Sequence, residues 1–262
     1  MISTLQRLAF GGCVTVLTLA AGPAAAQIFE VIHPDVEKGG FEFEVLNGVV
    51  LEDIEDGEER SAHEIAIAYS PFSFWKTTLA IEIANPEGES AEFEAFEWEN
   101  VLLLPFGGGH GAGHSHDHGG EGFFALEAVG IFAALEVPNS GGIEAGGIEV
   151  GPIAEIAFGP VETVSNFFFE VPFEDEAGTG IAYAIQAQYP IFDQVGVGFE
   201  AFGEVENVFQ GETEDEHFIG PAIFTEFDLG RGRVLEPRLA FLFGLTDDAP
   251  DAVASLNFEL KF

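Results

Sequence analysis

The chain has 262 residues, of which 46 are Asp or Glu and only 8 are Lys or Arg, so its formal net charge at pH 7 is −38. This charge excludes nucleic acid as a partner, because the chain would repel phosphates. Hydrophobic residues still make up 47% of the chain, with 28 Phe among them, which excludes an acidic disordered protein, and no run of 18 apolar residues follows residue 26, which excludes a transmembrane helix.

Residues 1–26 have the pattern of a secretory signal peptide. An apolar run extends from about Cys13 to Ala21, and Ala24-Ala25-Ala26 forms an A-x-A cleavage site. A lipoprotein alternative at Cys13 is open, although Phe10-Gly11-Gly12 is a poor lipobox. Cleavage after Ala26 removes the only cysteine, so the mature chain has no disulfide. Residues 27–39 are predicted to form a periplasmic N-terminal segment before the first strand.

From Phe41 onward, apolar and polar residues alternate with a period of two. The alternation is strict in Phe41–Val45 and returns in Glu64–Tyr69, Leu79–Ile83 and Ile181–Tyr189. It indicates strands with one apolar and one polar face. Two architectures remain open at this point, because a soluble sandwich hides its apolar faces between two sheets, whereas a membrane barrel turns them toward lipid.

The last strand distinguishes between these architectures. One face of residues 251–262, DAVASLNFELKF, is entirely apolar: Ala252, Ala254, Leu256, Phe258, Leu260 and Phe262. This segment resembles the last strand of Gram-negative outer-membrane β-barrels, in which a terminal Phe and apolar residues at every second position before it are recognised by the barrel-assembly machinery. The resemblance implies an all-β, transmembrane, antiparallel up-and-down β-barrel over residues 40–262. It also implies an outer-membrane location, contact with membrane lipid and lipopolysaccharide, and assembly through Phe262.

Turn signals divide residues 40–262 into about twelve strands, an even number, as single-chain bacterial barrels require. They are predicted at 40–51, 61–70, 73–84, 91–104, 123–136, 144–158, 162–173, 179–190, 193–206, 216–229, 232–245 and 250–262. In the fourth strand, Phe93 is out of phase with Phe96 and Trp98, and a bulge near Ala95 would repair the alternation. With both termini in the periplasm, the connections after even strands are periplasmic and mostly short, and those after odd strands are extracellular and acidic.

The connection between the fourth and fifth strands is the exception among the short periplasmic turns. Residues 107–120, GGGHGAGHSHDHGG, hold four of the seven histidines. Neutral imidazoles on a flexible chain can bind Zn, Cu or Ni. Two alternatives stay open: a solvated Gly/His linker without a physiological metal, and a loop that faces outward because the strand count is wrong by one. The candidate ligands are His110, His114, His116, Asp117 and His118.

Ser61 and His63 raise a catalytic alternative, since outer-membrane phospholipases use Ser and His on a twelve-strand barrel. Side chains at positions i and i+2 of a strand point in parallel, however, and rarely make the hydrogen bond that a nucleophile and its base require. The sequence also identifies no third member. The protein is therefore predicted not to be an enzyme.

The faces opposite the apolar stripes carry many carboxylates but only three basic residues, Lys76, Arg238 and Lys261. An excess of carboxylates in a lumen attracts cations and excludes anions, which predicts a passive, porin-like channel for small cations. General acidity, such as an adaptation to high salt, would explain the same composition. The alternative function is a structural or metal-binding protein with a lumen filled by side chains, because twelve strands are fewer than the 16–18 of open porins. The predicted lumenal carboxylates are Glu42, Glu44, Glu64, Glu82, Glu97, Glu99, Glu200, Glu204, Glu226 and Glu259.

Overall fold

A computed structural model describes residues 28–52, 59–105, 124–139, 146–173, 178–209, 213 and 215–262. Within these ranges no helix is long and apolar enough to cross a membrane. The regular structure consists of antiparallel strands: β1 (Phe41–Val50), β2 (Glu59–Phe72), β3 (Trp75–Pro86), β4 (Glu92–Leu103), β5 (Phe124–Pro138), β6 (Gly147–Phe158), β7 (Val161–Pro172), β8 (Gly180–Phe192), β9 (Val195–Val205), β10 (Asp215–Thr225), β11 (Phe227–Asp228), β12 (Val234–Gly244) and β13 (Ala252–Lys261).

The strands form one closed sheet. Strands β1 to β10 pair in sequence order, β12 pairs with both β10 and β13, and β13 pairs with β1. Strand β11 has only two residues and pairs with the start of β12. Twelve strands therefore build a transmembrane, antiparallel, up-and-down barrel, which confirms the predicted fold class. The predicted boundaries differ from the observed ones by at most three residues, apart from the strand predicted at 216–229, which divides into β10 and β11.

Alternation along each strand places apolar side chains on the outer surface and polar ones in the lumen. On β2, Ile67 and Tyr69 are each 48% exposed, whereas Glu64 and Ala66 are 3% and 1% exposed. A barrel in a bilayer requires this arrangement, because lipid surrounds the outer face. The alternation that the sequence displays is therefore the alternation between lipid and lumen.

Strand β4 contains the bulge that the sequence predicts near Ala95. Ile81 of β3 pairs with Phe96, but Ile83 pairs with Phe93, so β4 holds one residue more than its partner between these two pairs. Ala95 is buried inside the barrel, and Phe93 is 43% exposed on the outer surface. The bulge thus returns both ends of β4 to the same outward face.

Residues 28–36, which we call the plug segment, lie inside the barrel. Phe29 is 2% exposed, and its ring packs against those of Phe202 and Phe218 with centroids 5.0 Å apart. The carbonyl oxygen of Phe29 accepts hydrogen bonds from Asn257 and Arg238 of the barrel wall. The sequence predicts a periplasmic segment at 27–39, whereas the structure holds the plug segment against the inner faces of the strands.

A second anchor fixes the middle of the plug segment. The backbone N–H of Ile32 donates to Oδ1 of Asn166, and Nδ2 of Asn166 donates to the carbonyl oxygen of Ile32, both at 2.8 Å. The Ile32 side chain belongs to an apolar cluster that includes Phe132 and Ile153. The wall thus satisfies the backbone polar groups of a segment that has no strand partner of its own.

Candidate functional site

A cavity of about 430 Å³ lies between the plug segment and the inner faces of the strands. Its described lining contains no Lys or Arg. The rest of the lining consists of Ile, Ala, Phe, Tyr and Gly residues. The lining carboxylates are Glu30, Glu59, Glu64, Glu82, Glu94, Glu97, Glu99, Glu149, Glu170 and Glu204.

The cavity occupies the half of the lumen that faces the longer connections, which we call the outer half. Glu59 begins β2, Glu149 is near the start of β6, and Glu170 is near the end of β7. These strand ends are opposite to the short turns that link β2 to β3, β6 to β7 and β8 to β9. Short turns are typically periplasmic in bacterial barrels and longer loops extracellular, so the cavity lies at the end that the strand count predicts to be extracellular.

The alternation of the sequence predicted part of this lining. Glu64, Glu82, Glu97, Glu99 and Glu204 were expected to face the lumen and do line the cavity. Five further carboxylates were missed: Glu30, Glu59, Glu94, Glu149 and Glu170. The alternation of β6 and β7 would have identified Glu149 and Glu170, but no periodicity marks Glu30, which belongs to the plug segment.

In the inner half of the lumen, each of the three basic residues has an acidic partner. The ammonium group of Lys76 lies 2.9 Å from Glu42, and the Arg238 guanidinium lies 3.1 Å from Glu200. Lys261 has three acidic neighbours at 3.2 to 3.5 Å: Glu236, Glu259 and Asp35. These residues therefore face the lumen, as the sequence predicts. Glu226 lies just beyond the end of β10 and is not part of the lining of the acidic cavity.

Carboxylates of the outer half are close enough to share a cation. Oxygens of Glu30, Glu64 and Glu99 lie within 4.8 Å of one another, and so do those of Glu64, Glu82 and Glu97. Glu64 belongs to both groups and is 3% exposed. Carboxylate oxygens are the ligands that hard cations prefer, so the arrangement can attract cations into the lumen.

The position of the plug segment inside the barrel shifts the pKa values of two of its groups, the Glu30 carboxyl and the His33 imidazole. Burial raises the pKa of the Glu30 carboxyl to about 7, although Lys76 and Arg238 act in the opposite direction. Burial also lowers the pKa of His33 to about 3, and Lys261 and Lys76 lower it further. The plug segment therefore holds a neutral imidazole close to the basic residues of the inner half.

The predicted metal ligands His110, His114, His116, Asp117 and His118 lie outside the described residues. The structure does describe the strands on either side of them. Strand β4 ends at Leu103 and β5 begins at Phe124, at the end of the barrel that carries the short turns. The His-rich connection therefore leaves and re-enters the barrel at the end that the strand count predicted.

No protein-family model matches the chain, and no curated protein matches it. Several solved structures are similar in fold. The COG4313 outer membrane channel from Pseudomonas putida F1 has a TM-score of 0.56 at 10% identity, and the match covers 89% of this chain and all of that one. The translocator domain of the autotransporter NalP from Neisseria meningitidis has a TM-score of 0.45 at 10% identity and covers 85% and 87% of the two chains. Omp33 of Acinetobacter baumannii has a TM-score of 0.42 at 10% identity, with 87% and 98% covered.

Proposed function

We propose that the protein is a cation-preferring channel of the bacterial outer membrane. The observation that carries this proposal is the acidic cavity of the outer half, about 430 Å³ in volume and without a basic residue in its described lining. Confined carboxylates concentrate cations and repel anions, and low-dielectric walls strengthen both effects. Small cations are therefore the expected solutes.

The outer-membrane location rests on two supports. The outer surface of the barrel is apolar at the level of the strands, with Leu79, Phe199 and Phe241 each about half exposed. The terminal strand β13 pairs with β1, and the ring of Phe262 packs against that of Phe41 with centroids 5.8 Å apart. Export by residues 1–26 and assembly through Phe262 are part of the same proposal.

The plug segment limits transport in this proposal. It forms one boundary of the acidic cavity, and the ion-paired inner half lies beyond it. A cation that enters from outside meets the plug segment before it can reach the periplasmic end. We therefore expect a small conductance that increases when the plug segment is removed from the lumen.

The test is a planar-bilayer measurement on the purified full chain. The reversal potential in a KCl gradient should indicate a preference for K⁺ over Cl⁻. Neutralising three cavity carboxylates by Glu82→Gln, Glu97→Gln and Glu149→Gln should reduce this preference. The control is a variant with three exposed carboxylates replaced, Glu37→Gln, Glu89→Gln and Asp193→Asn, which changes the formal net charge equally. Anion preference in the unmodified protein would contradict the proposal.

A closed structural barrel is the second candidate, and the plug segment is the observation that favours it. Phe29 and Ile32 fill lumenal space between the strands. In this case neither the full chain nor a variant that lacks residues 28–36 conducts ions. Conductance by the deletion variant would favour the channel instead.

A further inference from the structure

Three polar side chains form a hydrogen-bonded chain on the outer surface of β1 and β2. The hydroxyl oxygen of Ser61 lies 3.1 Å from Nε2 of His63, and Nδ1 of His63 lies 3.0 Å from Oδ1 of Asn47. Asn47 and His63 are direct partners in the pairing of the two strands. The three residues share the outward side of the two strands with Ile65 and Ile67, which are 37% and 48% exposed, while Ser61 is covered by its neighbours and is 6% exposed.

The hydrogen bonds determine which polar atoms of Asn47, His63 and Ser61 donate and which accept. Nδ2 of Asn47 donates to the carbonyl oxygen of Leu256 at 2.6 Å, which leaves Oδ1 of Asn47 to accept from His63. Nδ1 of His63 therefore carries the proton, and Nε2 presents its lone pair to the Ser61 hydroxyl. A serine nucleophile needs this arrangement of a base and an orienting group.

A bulge lies directly before Ser61, which meets His63 although the two residues are two positions apart on one strand. Glu59 pairs with Pro86 and Ser61 pairs with Asn85, so β2 holds an extra residue at Arg60. Bulges increase the local twist of a strand and change the direction of neighbouring side chains. Side chains two residues apart on a strand are expected to point in parallel and rarely to form this hydrogen bond, but Ser61 and His63 lie 3.1 Å apart and form it.

The position of the hydrogen-bonded group of Asn47, His63 and Ser61 indicates the kind of molecule that could reach it. Toward the middle of the barrel, the same face continues with Ile65 and Ile81, which are 37% and 38% exposed. Toward the loops, Arg60 forms an ion pair with Glu87 at 2.7 Å. The hydrogen-bonded group thus lies at the edge of the apolar band nearest the longer loops, where a bilayer changes from acyl chains to polar groups. The ester bonds of membrane lipids lie at this level.

A fourth polar residue completes the surface patch. Asn85 is paired directly with Ser61 across β2 and β3, and directly paired residues have Cβ atoms about 4.5–5.5 Å apart. Within the described ranges, the side-chain amide of Asn85 donates no hydrogen bond. An unused N–H donor beside a serine hydroxyl is suited to stabilise an oxyanion.

We propose that Ser61, His63 and Asn47 form a hydrolytic site for lipid esters on the outer surface of the barrel, with Asn85 as the oxyanion donor. The Ser61 oxygen attacks the ester carbonyl carbon, and its proton passes to Nε2 of His63. The tetrahedral intermediate expels the lipid alcohol, which takes this proton, and an acyl ester remains on Ser61. Water then attacks that ester, its proton passes through His63 to the Ser61 oxygen, and the fatty acid is released.

The first test uses an alkyl fluorophosphonate on the purified, folded full chain in detergent. The probe should phosphonylate Ser61, as located by peptide mass spectrometry, with release of fluoride. Ser61→Ala and His63→Gln should abolish labelling. Ser165→Ala is the matched control, because Ser165 also lies on the outward face, of β7, and no described histidine hydrogen-bonds to it. A folded barrel that is not labelled at Ser61 would overturn the proposal.

The second test identifies the substrate and the role of Asn47. Hydrolysis is measured on phosphatidylethanolamine vesicles, on lipopolysaccharide aggregates and on a water-soluble nitrophenyl ester. Release of fatty acid from either lipid should fall at least about 100-fold in Ser61→Ala, and which lipid is cleaved identifies the source of the ester. Asn47→Ala should lose activity, whereas Asn47→Asp should restore it, because aspartate also accepts from Nδ1 of His63. Cleavage of the water-soluble ester alone would refute the assignment to lipids.

Discussion

The two halves of the lumen are built from similar acidic side chains, but their charges have different partners. In the inner half, Lys76 and Arg238 lie within 3.1 Å of Glu42 and Glu200. In the outer half, ten carboxylates surround a cavity that has no Lys or Arg in its described lining. Because a buried carboxyl group without a basic partner is less stable than an ion-paired one, the outer half gives up stability that the inner half keeps. Functional sites commonly show such a departure from the most stable arrangement, and we therefore assign ion attraction to the outer half.

Removing a basic residue of the inner half should have the largest effect. Arg238→Met leaves the Glu200 carboxylate, which is 0% exposed, without its charged partner. Loss of one partner of a buried ion pair typically costs about 3–5 kcal/mol. The free energy of unfolding, measured by urea titration of the barrel in detergent, should fall by this amount. The double variant Arg238→Met and Glu200→Gln should recover most of the loss. Equal loss in the single and double variants would mean that the charge pairing is not the cause.

Weakening the plug segment should have the next largest effect, because this segment separates the two halves. Asn166→Leu removes both hydrogen bonds to the backbone of Ile32. At about 1 kcal/mol for each bond, the released state of the plug segment should become about 30-fold more populated. Single-channel recordings should show correspondingly more frequent openings. Asn139→Leu is a control, because Asn139 also bonds to backbone, that of Phe93, but at the loop-bearing end of the barrel. Similar opening frequencies in the two variants would argue against a gating role of the plug segment.

A basic residue added to the outer half should make that half resemble the inner one. Ala184 is 4% exposed and lines the acidic cavity. Ala184→Lys would place an ammonium group among the carboxylates and should reduce the preference for K⁺ over Cl⁻ several-fold, while Ala184→Met controls for side-chain volume. The difference between the two variants should decrease at high salt, because the screening length falls from about 10 Å at 0.1 M to about 3 Å at 1 M. Equal selectivity in the two variants would mean that the cavity lies off the ion path.

The pH of the solution should change the plug segment through His33. Its pKa is lowered to about 3 by burial and by Lys261 and Lys76, while a histidine released into water titrates near 6.5. The contribution of His33 to the lumenal position is therefore full above pH 6.5 and is lost as the pH falls toward 3, by up to tenfold per pH unit. Glu30, whose pKa burial raises to about 7, acts in the opposite direction and is the same in both variants compared. Modification of Val31→Cys by a maleimide should become faster on acidification, relative to the same variant carrying His33→Gln. A constant ratio across this range would show that His33 does not control release.

The sequence predicted the strands of the barrel wall better than the plug segment that lies inside the wall. The alternation in β2 and the out-of-phase Phe93 were enough to place the strands and the bulge near Ala95, because these depend on local patterns of lipid-facing residues. The plug segment was missed because it has no periodicity, and its position depends on hydrogen bonds to Asn166 and Asn257, more than 130 residues away. The hydrogen bond between Ser61 and His63 was missed because the parity of a strand predicts the face of each side chain but not its rotamer.

Substitutions in the His-rich connection should have the smallest effect on the two halves of the lumen, because this connection joins the ends of β4 and β5 at the turn-bearing end of the barrel. Metal binding there stays a prediction. Replacing His114, His116 and His118 by Asn should abolish binding of Zn, Cu or Ni in calorimetry, because these histidines supply most of the nitrogen ligands available within 107–120. The unmodified loop should also bind more weakly as the pH falls below about 6.5, since only neutral imidazole binds metal. Conductance and unfolding free energy should remain unchanged, because the substituted residues lie between strands and not within them. Binding that survives the triple substitution would show that the ligands lie elsewhere, and the lumenal carboxylates around Glu64 would then be the next candidates to test.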